Sequence, residues 1–502
     1  MTPRFEHAED ILTLYLAPMN QLEYFIRTGS NAAAQGNHQQ ALDLFQQALQ
    51  LDPRDSEALY GCCLALKALD RHGPVLAYAN RLFQAGFAHT KASQPQAALD
   101  CFEKLIALGL GSSQLYLSCG ISLRALERRD EALSYLEKAC ELTPGDMHAA
   151  LVHALLLQEL TRHREALAAY QRAAELEPDN FAANFNQYAS HLALGEFTAG
   201  WEKFDWRWRN TPNHQFTPDF AQQLWNGQAL AGKTIVLYAE HGQGDAIQFC
   251  RLTQAVAERG ASVVLAVHPS LKKLLTGLAG TTQVIGQGET MPPYDYHCPL
   301  MSVPRVLGIT QDTIPAALPY LHADPDKVWD WANRIGTPSG RLRVGLTWAG
   351  EARPDPDEIA MNQRRSIAFA QLATLLDLPG IDFYSVQKGQ AAQDELNQSP
   401  LKHRVIDLSA GFSDFAETAA LLANLDLLIS VDTAVVHLAG ALGKPVWLLN
   451  RYASCWRWQM ARSDSPWYPG VLRIFRQTTA GDWGGVLAEV RQALMGLSEE
   501  LE

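Results

Sequence analysis

The chain has 502 residues, 47% hydrophobic and 19% charged, with a formal charge of −13. That length predicts about two to four folded domains with sizeable cores, and the acidic balance argues against a nucleic-acid backbone as the main partner. Eight scattered cysteines without a C-x-x-C pair form neither a disulfide framework nor a zinc site, and they point to a reducing, cytoplasmic setting. Glu6, Glu9 and Asp10 at the start do not read as a signal peptide. The most apolar region is broken by Asp426, Asp432, His437 and Lys444, so no transmembrane segment is expected.

The first two hundred residues read as helical and repetitive. Ala98-Leu99, Ala132-Leu133 and Ala166-Leu167 recur every 34 residues, each followed four positions after the Ala by Phe102, Leu136 or Tyr170. Pro144 and Pro178 close their copies at the same interval, and Ala41, Phe45, Ala48 and Pro53 mark an earlier one. This resembles the tetratricopeptide repeat, in which small Ala residues let two helices approach and a large residue fills the next groove. Such a stack leaves a concave surface suited to a peptide or protein; assembly into a homo-oligomer, or a mere spacer, is the alternative. The last copy ends in Trp201, Phe204, Trp206 and Trp208, an aromatic cap to the array.

Asn210-Thr211-Pro212-Asn213-His214 and Thr217-Pro218 read as a linker, after which the periodicity changes. Thr234-Ile235-Val236-Leu237-Tyr238-Ala239 is a buried strand and Gly242-Gln243-Gly244-Asp245 a tight turn. Phe249, Leu252 and Val256 follow at helical spacing, and Ser262-Val263-Val264-Leu265-Ala266-Val267 is a second strand. This is a Rossmann-like βαβ opening without the dinucleotide fingerprint, since Ile247 stands where a third Gly is needed and His268 where a ribose-binding acid belongs. Asp245 sits at a helix N-terminus, where capping alone favours Asp; facing a crevice, it is also a candidate general base.

A second α/β region follows a short helix (Val328, Trp331, Ile335) and a hinge-like Gly336-Thr337-Pro338-Ser339-Gly340. One strand runs through Arg343-Val344-Gly345-Leu346-Thr347-Trp348 to Ala349-Gly350. A polar loop to Arg364, Arg365 and Ser366 comes next, and a further strand ends at Gln387-Lys388-Gly389. Asp355-Pro356-Asp357 has the form of a metal pair but reads as surface loop; no metal and no cofactor are expected. Leu425-Asp426-Leu427-Leu428-Ile429 leads into Ser430-Val431-Asp432-Thr433-Ala434-Val435-Val436-His437. There a strand gives way to a helix with Gly443 at its end, before the strand Pro445-Val446-Trp447-Leu448-Leu449. Gly350, Arg364/Arg365, Gln387/Lys388 and Thr433/His437 thus fall at strand ends and loops that converge on one cleft, where cations, a hydroxyl and helix N–H groups suit a diphosphate. Trp456, Trp458 and Trp467-Tyr468 read as core aromatics, with stacking on a sugar or base as the alternative.

Residues 430–445 resemble the Asp-Thr-x-x-x-His-Leu-Ala-x-Ala-Leu-Gly-x-Pro run of the ADP-heptose lipopolysaccharide heptosyltransferase family. Gly242-Gln243-Gly244-Asp245 resembles that family's Gly-Asp turn. The likeness covers about residues 225–500, and the layout is similar to bacterial tetratricopeptide-repeat glycosyltransferases. It implies an α-helical tetratricopeptide-repeat solenoid (1–210) followed by an α/β GT-B module of two Rossmann-like domains, acceptor-side (211–335) and nucleotide-sugar (336–502). The activity implied is an inverting, metal-independent glycosyltransferase with a nucleotide-sugar donor, its acceptor presented by the repeats and expected to be a protein. Asp245 would be the base. Gly244, Arg364, Gln387, Lys388, Asp432, Thr433, Ala434 and His437 would bind the donor. Ala434 stands where the family often has Gly, and the loop around Arg364 departs from the family pattern. The alternatives are a non-catalytic repeat scaffold with a degenerate transferase module, or a transferase acting on lipid-linked or polysaccharide glycans.

Overall fold

The computed structural model describes residues 18–209, 223–337, 340–351 and 356–499. The expected linker at 210–218, the acidic N-terminal residues, Pro338, Ser339 and Asp355 lie outside them. Two compact units are formed, Met1–Ala183 and Asn184–Glu502.

The first unit is a run of antiparallel helix pairs, among them Pro95–Ala107 with Ser113–Ala125 and Arg129–Leu142 with Met147–Glu159. The 34-residue pattern is its core: Ala98, Ala132, Ala166, Phe102, Leu136 and Tyr170 are all buried. A glycine on the neighbouring helix receives the large residue. A Cβ on Gly86 would meet the Phe102 ring at 2.5 Å, and one on Gly120 would meet Leu136 at 2.6 Å. Turns between helices are closed by acid caps such as Asp146, whose carboxylate accepts from the His148 and Ala149 N–H groups.

The second unit begins inside what the sequence presents as the end of the repeats, earlier than the boundary expected at 210. The helix Phe197–Phe204 and the 3₁₀ turn Asp205–Arg209 are fastened to the first α/β lobe. Trp201 Nε1 donates to the Ile309 carbonyl at 2.9 Å, and Arg207 Nη2 donates to Glu240 Oε1 at 2.5 Å and Ser302 Oγ at 2.7 Å. Arg207 and Glu240 are both buried, so removing Arg207 would strand the Glu240 carboxylate, at a cost of about 3–5 kcal/mol. The aromatic segment is therefore a joint to the sheet.

Two all-parallel sheets follow. In the first, β1 (Gln223–Leu224), β2 (Thr234–Tyr238), β3 (Ser262–Val267), β4 (Gln283–Gly286) and β5 (Tyr296–Pro299) lie in the order β1-β5-β2-β3-β4. In the second, β6 (Leu342–Thr347), β7 (Ile381–Ser385), β8 (Val405–Asp407), β9 (Leu427–Val431), β10 (Val446–Asn450) and β11 (Leu472–Arg476) lie in the order β11-β10-β9-β6-β7-β8. Read from β8, this is the doubly wound order 3-2-1-4-5-6. In each sheet the strand order reverses once at the middle, between β2 and β5 and between β6 and β9, and a crevice forms at such a point. Every residue of β9 and β10 is buried, as expected of parallel strands covered on both faces.

Two expectations change. Residues 356–365, read as a polar loop, form the helix Pro356–Arg365. The helix Pro325–Ile335, expected to belong with the first lobe, packs on Phe415–Ala423 of the second: Trp331 Nε1 donates to Glu417 Oε2 at 2.8 Å. All eight cysteines are unpaired, and among the described residues no helix is long and apolar enough to cross a membrane.

Candidate active site

A cavity of about 950 Å³ opens between the carboxyl ends of the two sheets. Its first-lobe wall includes the segments after β2, β3 and β5, and its second-lobe wall the turns after β6, β7, β9 and β10.

The lobes meet at two helix N-termini. The helix Gln243–Phe249 starts at the glycine turn, and the helix Ala434–Ala441 starts at Thr433. Gly244 lies against the second of these: a Cβ there would meet His437 Cδ2 at 2.9 Å and Ala434 Cα at 3.2 Å. Only glycine permits this approach. Thr433 occupies the N-cap position but makes no side-chain hydrogen bond to its helix; its Oγ1 lies 3.2 Å from Ser430 Oγ. Gly443, at φ +71°, follows the end of this helix.

Asp245 stands at the third position of its helix and reaches back to accept from the Gly242 N–H at 3.0 Å. Its other carboxylate oxygen is ion-paired with Arg457 of the 3₁₀ turn Trp456–Trp458. Arg457 also donates to Gln248 Oε1 at 2.5 Å and lies 4.2 Å over the Trp456 ring. The carboxylate is thus held in one orientation from both lobes. Two oxygens offer about four lone-pair directions, which leaves room for an incoming hydroxyl.

His437 is buried beneath this contact. Its ring stacks on Trp458 at 5.3 Å and its Nδ1 lies 2.9 Å from the Tyr468 hydroxyl. Burial, reinforced by the nearby charges of Arg457 and Arg251, holds its pKa well below the ordinary imidazole range, so it is neutral at pH 7.

At the second-lobe wall, Gln387 is a brace. Its Oε1 accepts from the Trp348 and Ala349 N–H groups at 3.0 Å each, and its Nε2 donates to the Ala349 carbonyl at 3.0 Å. The brace ties the end of β7 to the end of β6. Lys388 lines the cavity and donates to the Phe412 carbonyl at 3.0 Å. Arg365 lines it too, donating to the Asp432 carbonyl at 3.2 Å and to Asn362 Oδ1 at 3.0 Å. Arg364 does not border the cavity; it is exposed on the helix Pro356–Arg365. The remaining expected residues, Gly244, Asp245, Gln387, Lys388, Asp432, Thr433, Ala434 and His437, all border it. The structure therefore brings together every one of them except Arg364, whose neighbour Arg365 takes the place.

Three groups went unread in the sequence. Arg457 lies 212 residues from Asp245, inside a Trp-Arg-Trp run whose tryptophans are buried, Trp456 also bordering the cavity. Arg451, at the end of β10, borders the cavity. So do Phe185, Tyr188 and Phe204, whose rings pack at 4.8–6.1 Å from one another. Beside them His241 holds a left-handed backbone at φ +61°. A non-glycine residue there is uncommon and recurs at functional turns.

Two doubly wound lobes with a cleft between their strand ends define the GT-B architecture of glycosyltransferases. Residues 368–465 match the model of glycosyltransferase family 9 (heptosyltransferase), and residues 32–85, 113–146 and 151–205 match tetratricopeptide-repeat models. The chain thus carries tetratricopeptide repeats and a glycosyltransferase family 9 domain. It is 27% identical to Protein FlbA of Caulobacter vibrioides over 332 residues, 60% of this chain and 53% of that protein, so it spans about half the length of this relative. Among solved structures, the glycosyl transferase family 9 protein of Veillonella parvula is 13% identical over 55% of this chain and 99% of its own, at a TM-score of 0.39. The ADP-heptose lps heptosyltransferase II of E. coli is 16% identical over 53% and 99%, also at 0.39.

Proposed function

We propose that this chain is an inverting, metal-independent glycosyltransferase that moves a sugar from a nucleotide-sugar donor to a protein acceptor. The observation that supports this most is the placement of Asp245 and the N-terminal turn at Thr433 on one cavity, with Gly244 as their point of contact. In the proposed step the acceptor oxygen bonds to the anomeric carbon while the bond from that carbon to the diphosphate breaks. The hydroxyl proton passes to Asp245. Negative charge grows on the departing diphosphate, where Lys388, Arg365 and the N–H groups at the start of the helix Ala434–Ala441 offset it. Fixed cations of this kind supply the charge that a metal ion supplies in other transferases. Asp432 is assigned a donor hydroxyl, and Gln387 the shaping of the wall beside the nucleoside.

A protein acceptor is supported by the aromatic wall. Phe185, Tyr188 and Phe204 lie in the last segment matched by a tetratricopeptide-repeat model, and they border the cavity, Phe204 beside His241. An acceptor lying along this wall would be led toward Asp245, which borders the same cavity.

The test is a donor panel. The full chain is incubated with nucleotide sugars of each base, and released nucleoside diphosphate and sugar products are identified. Turnover of one donor, with inverted anomeric configuration and undiminished by a chelator, is expected. Failure of every nucleotide sugar to bind would leave the non-catalytic scaffold. Full transfer to a small glycan by a chain lacking the repeats would favour glycan acceptors.

A further inference from the structure

Arg451 follows β10, three strand positions from β7, whose end carries Lys388. At the usual spacing between strands, the strand ends that carry them are about 14 Å apart. Asp432, at the end of β9, lies between them.

The surroundings of Arg451 are unusual for a structural arginine. Its Nε is buried and has no hydrogen-bond partner among the described residues. The bond its Nη1 makes, to the Met361 carbonyl, is long at 3.3 Å. The side chain borders the cavity, and so does Arg365. Burial pushes the Arg451 pKa below the ordinary guanidinium range; Asp432 acts against this, while Arg364 and Arg365 add to it. A buried donor left unmade and a group of like charges are both costly, and both are relieved by an oxyanion. Arginine is suited to this because its planar fork takes two oxygens at once.

We propose that Arg451 and Arg365 form an anion subsite at the end of the cleft away from Lys388, taking an oxyanion on the sugar side of the donor. Two groups have that chemistry: the phosphate attached to the sugar, and a carboxylate on the sugar itself. The assignment rests on the nucleotide-sugar reading of the cleft.

The experiment uses the full chain in three forms: wild type, Arg451→Gln and Arg451→Lys. Calorimetry is run with inorganic pyrophosphate, with the four common nucleoside diphosphates and their monophosphates, and with UDP-glucose against UDP-glucuronate. If the phosphate is the ligand, Arg451→Gln weakens pyrophosphate and nucleoside diphosphate by on the order of tenfold or more, leaves monophosphate nearly unchanged, and Arg451→Lys restores part of the loss. If a sugar carboxylate is the ligand, wild type prefers UDP-glucuronate to UDP-glucose and the variant loses that preference. In either case the unliganded Arg451→Gln protein melts no lower than wild type, but its Tm rises less with the ligand. A lower Tm with unchanged affinities would make Arg451 structural and overturn the subsite, with the donor reading intact. Pyrophosphate binding that depends on Arg451, without binding of any nucleotide, would keep the subsite and overturn the donor reading. No binding of any probe by wild type would overturn both.

Discussion

Asp245 and Arg457 are ion-paired across the cleft, one at the glycine turn of the first lobe and the other in the Trp-Arg-Trp turn of the second. The pair makes the proposed base part of the contact that holds the lobes together. Both side chains are largely withdrawn from water, at 21% and 10% exposure, so this is no loose surface bridge.

Replacing Asp245 by Asn therefore has two expected effects. Transfer falls by about two orders of magnitude or more, because an amide cannot take the hydroxyl proton. Stability falls by about 2–3 kcal/mol, because Arg457 loses its counter-charge. Donor affinity, set by the second-lobe wall, stays close to wild type. Calorimetry with the donor, a transfer assay and thermal unfolding separate the three. Wild-type transfer rates in Asp245→Asn would remove the residue from the chemistry and leave it a lobe fastener.

Gly244→Ala probes the contact from its centre. The new Cβ would lie 2.9 Å from His437 Cδ2, and that ring is pinned by Trp458 and Tyr468. Neither the ring nor the Ala434 backbone can withdraw freely, so the helices separate at a cost of about 1–3 kcal/mol. Transfer is expected to drop more than donor binding, because the separation moves Asp245 away from the anomeric carbon. An unchanged melting point would mean that the lobes yield without strain.

The strand ends and the glycine turn were legible in the sequence because they are local signals. Gly443 and the apolar run before Asp432 define the strand–turn–helix unit without help from elsewhere. Arg457 was not legible as a partner of Asp245, since nothing in a Trp-Arg-Trp run reports a carboxylate 212 residues away. Arg365 rather than Arg364 borders the cavity for a geometric reason. Consecutive residues of a helix point about 100° apart, and the stretch 356–365 lacked the apolar spacing that reveals a helix, though Pro356 at its first position was a signal. Phe185 and Tyr188 carry no local signal, and Phe204 reads only as part of an aromatic end to the repeats; the fold is what places all three on a cavity.

That aromatic wall leads to a third expectation. Tyr188→Ala and Phe185→Ala remove rings that border the cavity beside His241. If the acceptor lies along this wall, each raises the acceptor KM by about fivefold or more while donor affinity and slow donor hydrolysis stay unchanged. Losses in kcat for both transfer and hydrolysis would instead assign the rings to lobe packing.

Histidines withdrawn from water make the fold less stable in acid. In the first unit, burial pushes His163 down to about 4, and His153 is lowered for the same first reason. In the second, His437 is held well below its ordinary value. A histidine depressed in the folded state binds its proton more readily when unfolded. Each therefore leaves stability intact above about pH 6.5 and erodes it as pH falls toward the folded value. For His163 the window runs from about 6.5 to 4, with a loss of about 1.4 kcal/mol per pH unit and about 3 kcal/mol in all. Unfolding of the chain followed between pH 8 and 4 is expected to show flat stability at first and a decline below 6.5. Substituting His163 by Gln removes a titrating group from the first unit, so the decline there becomes shallower even where the variant starts less stable. A slope that His163→Gln leaves unaltered would show that this imidazole is protonated with equal ease in the folded and unfolded chain.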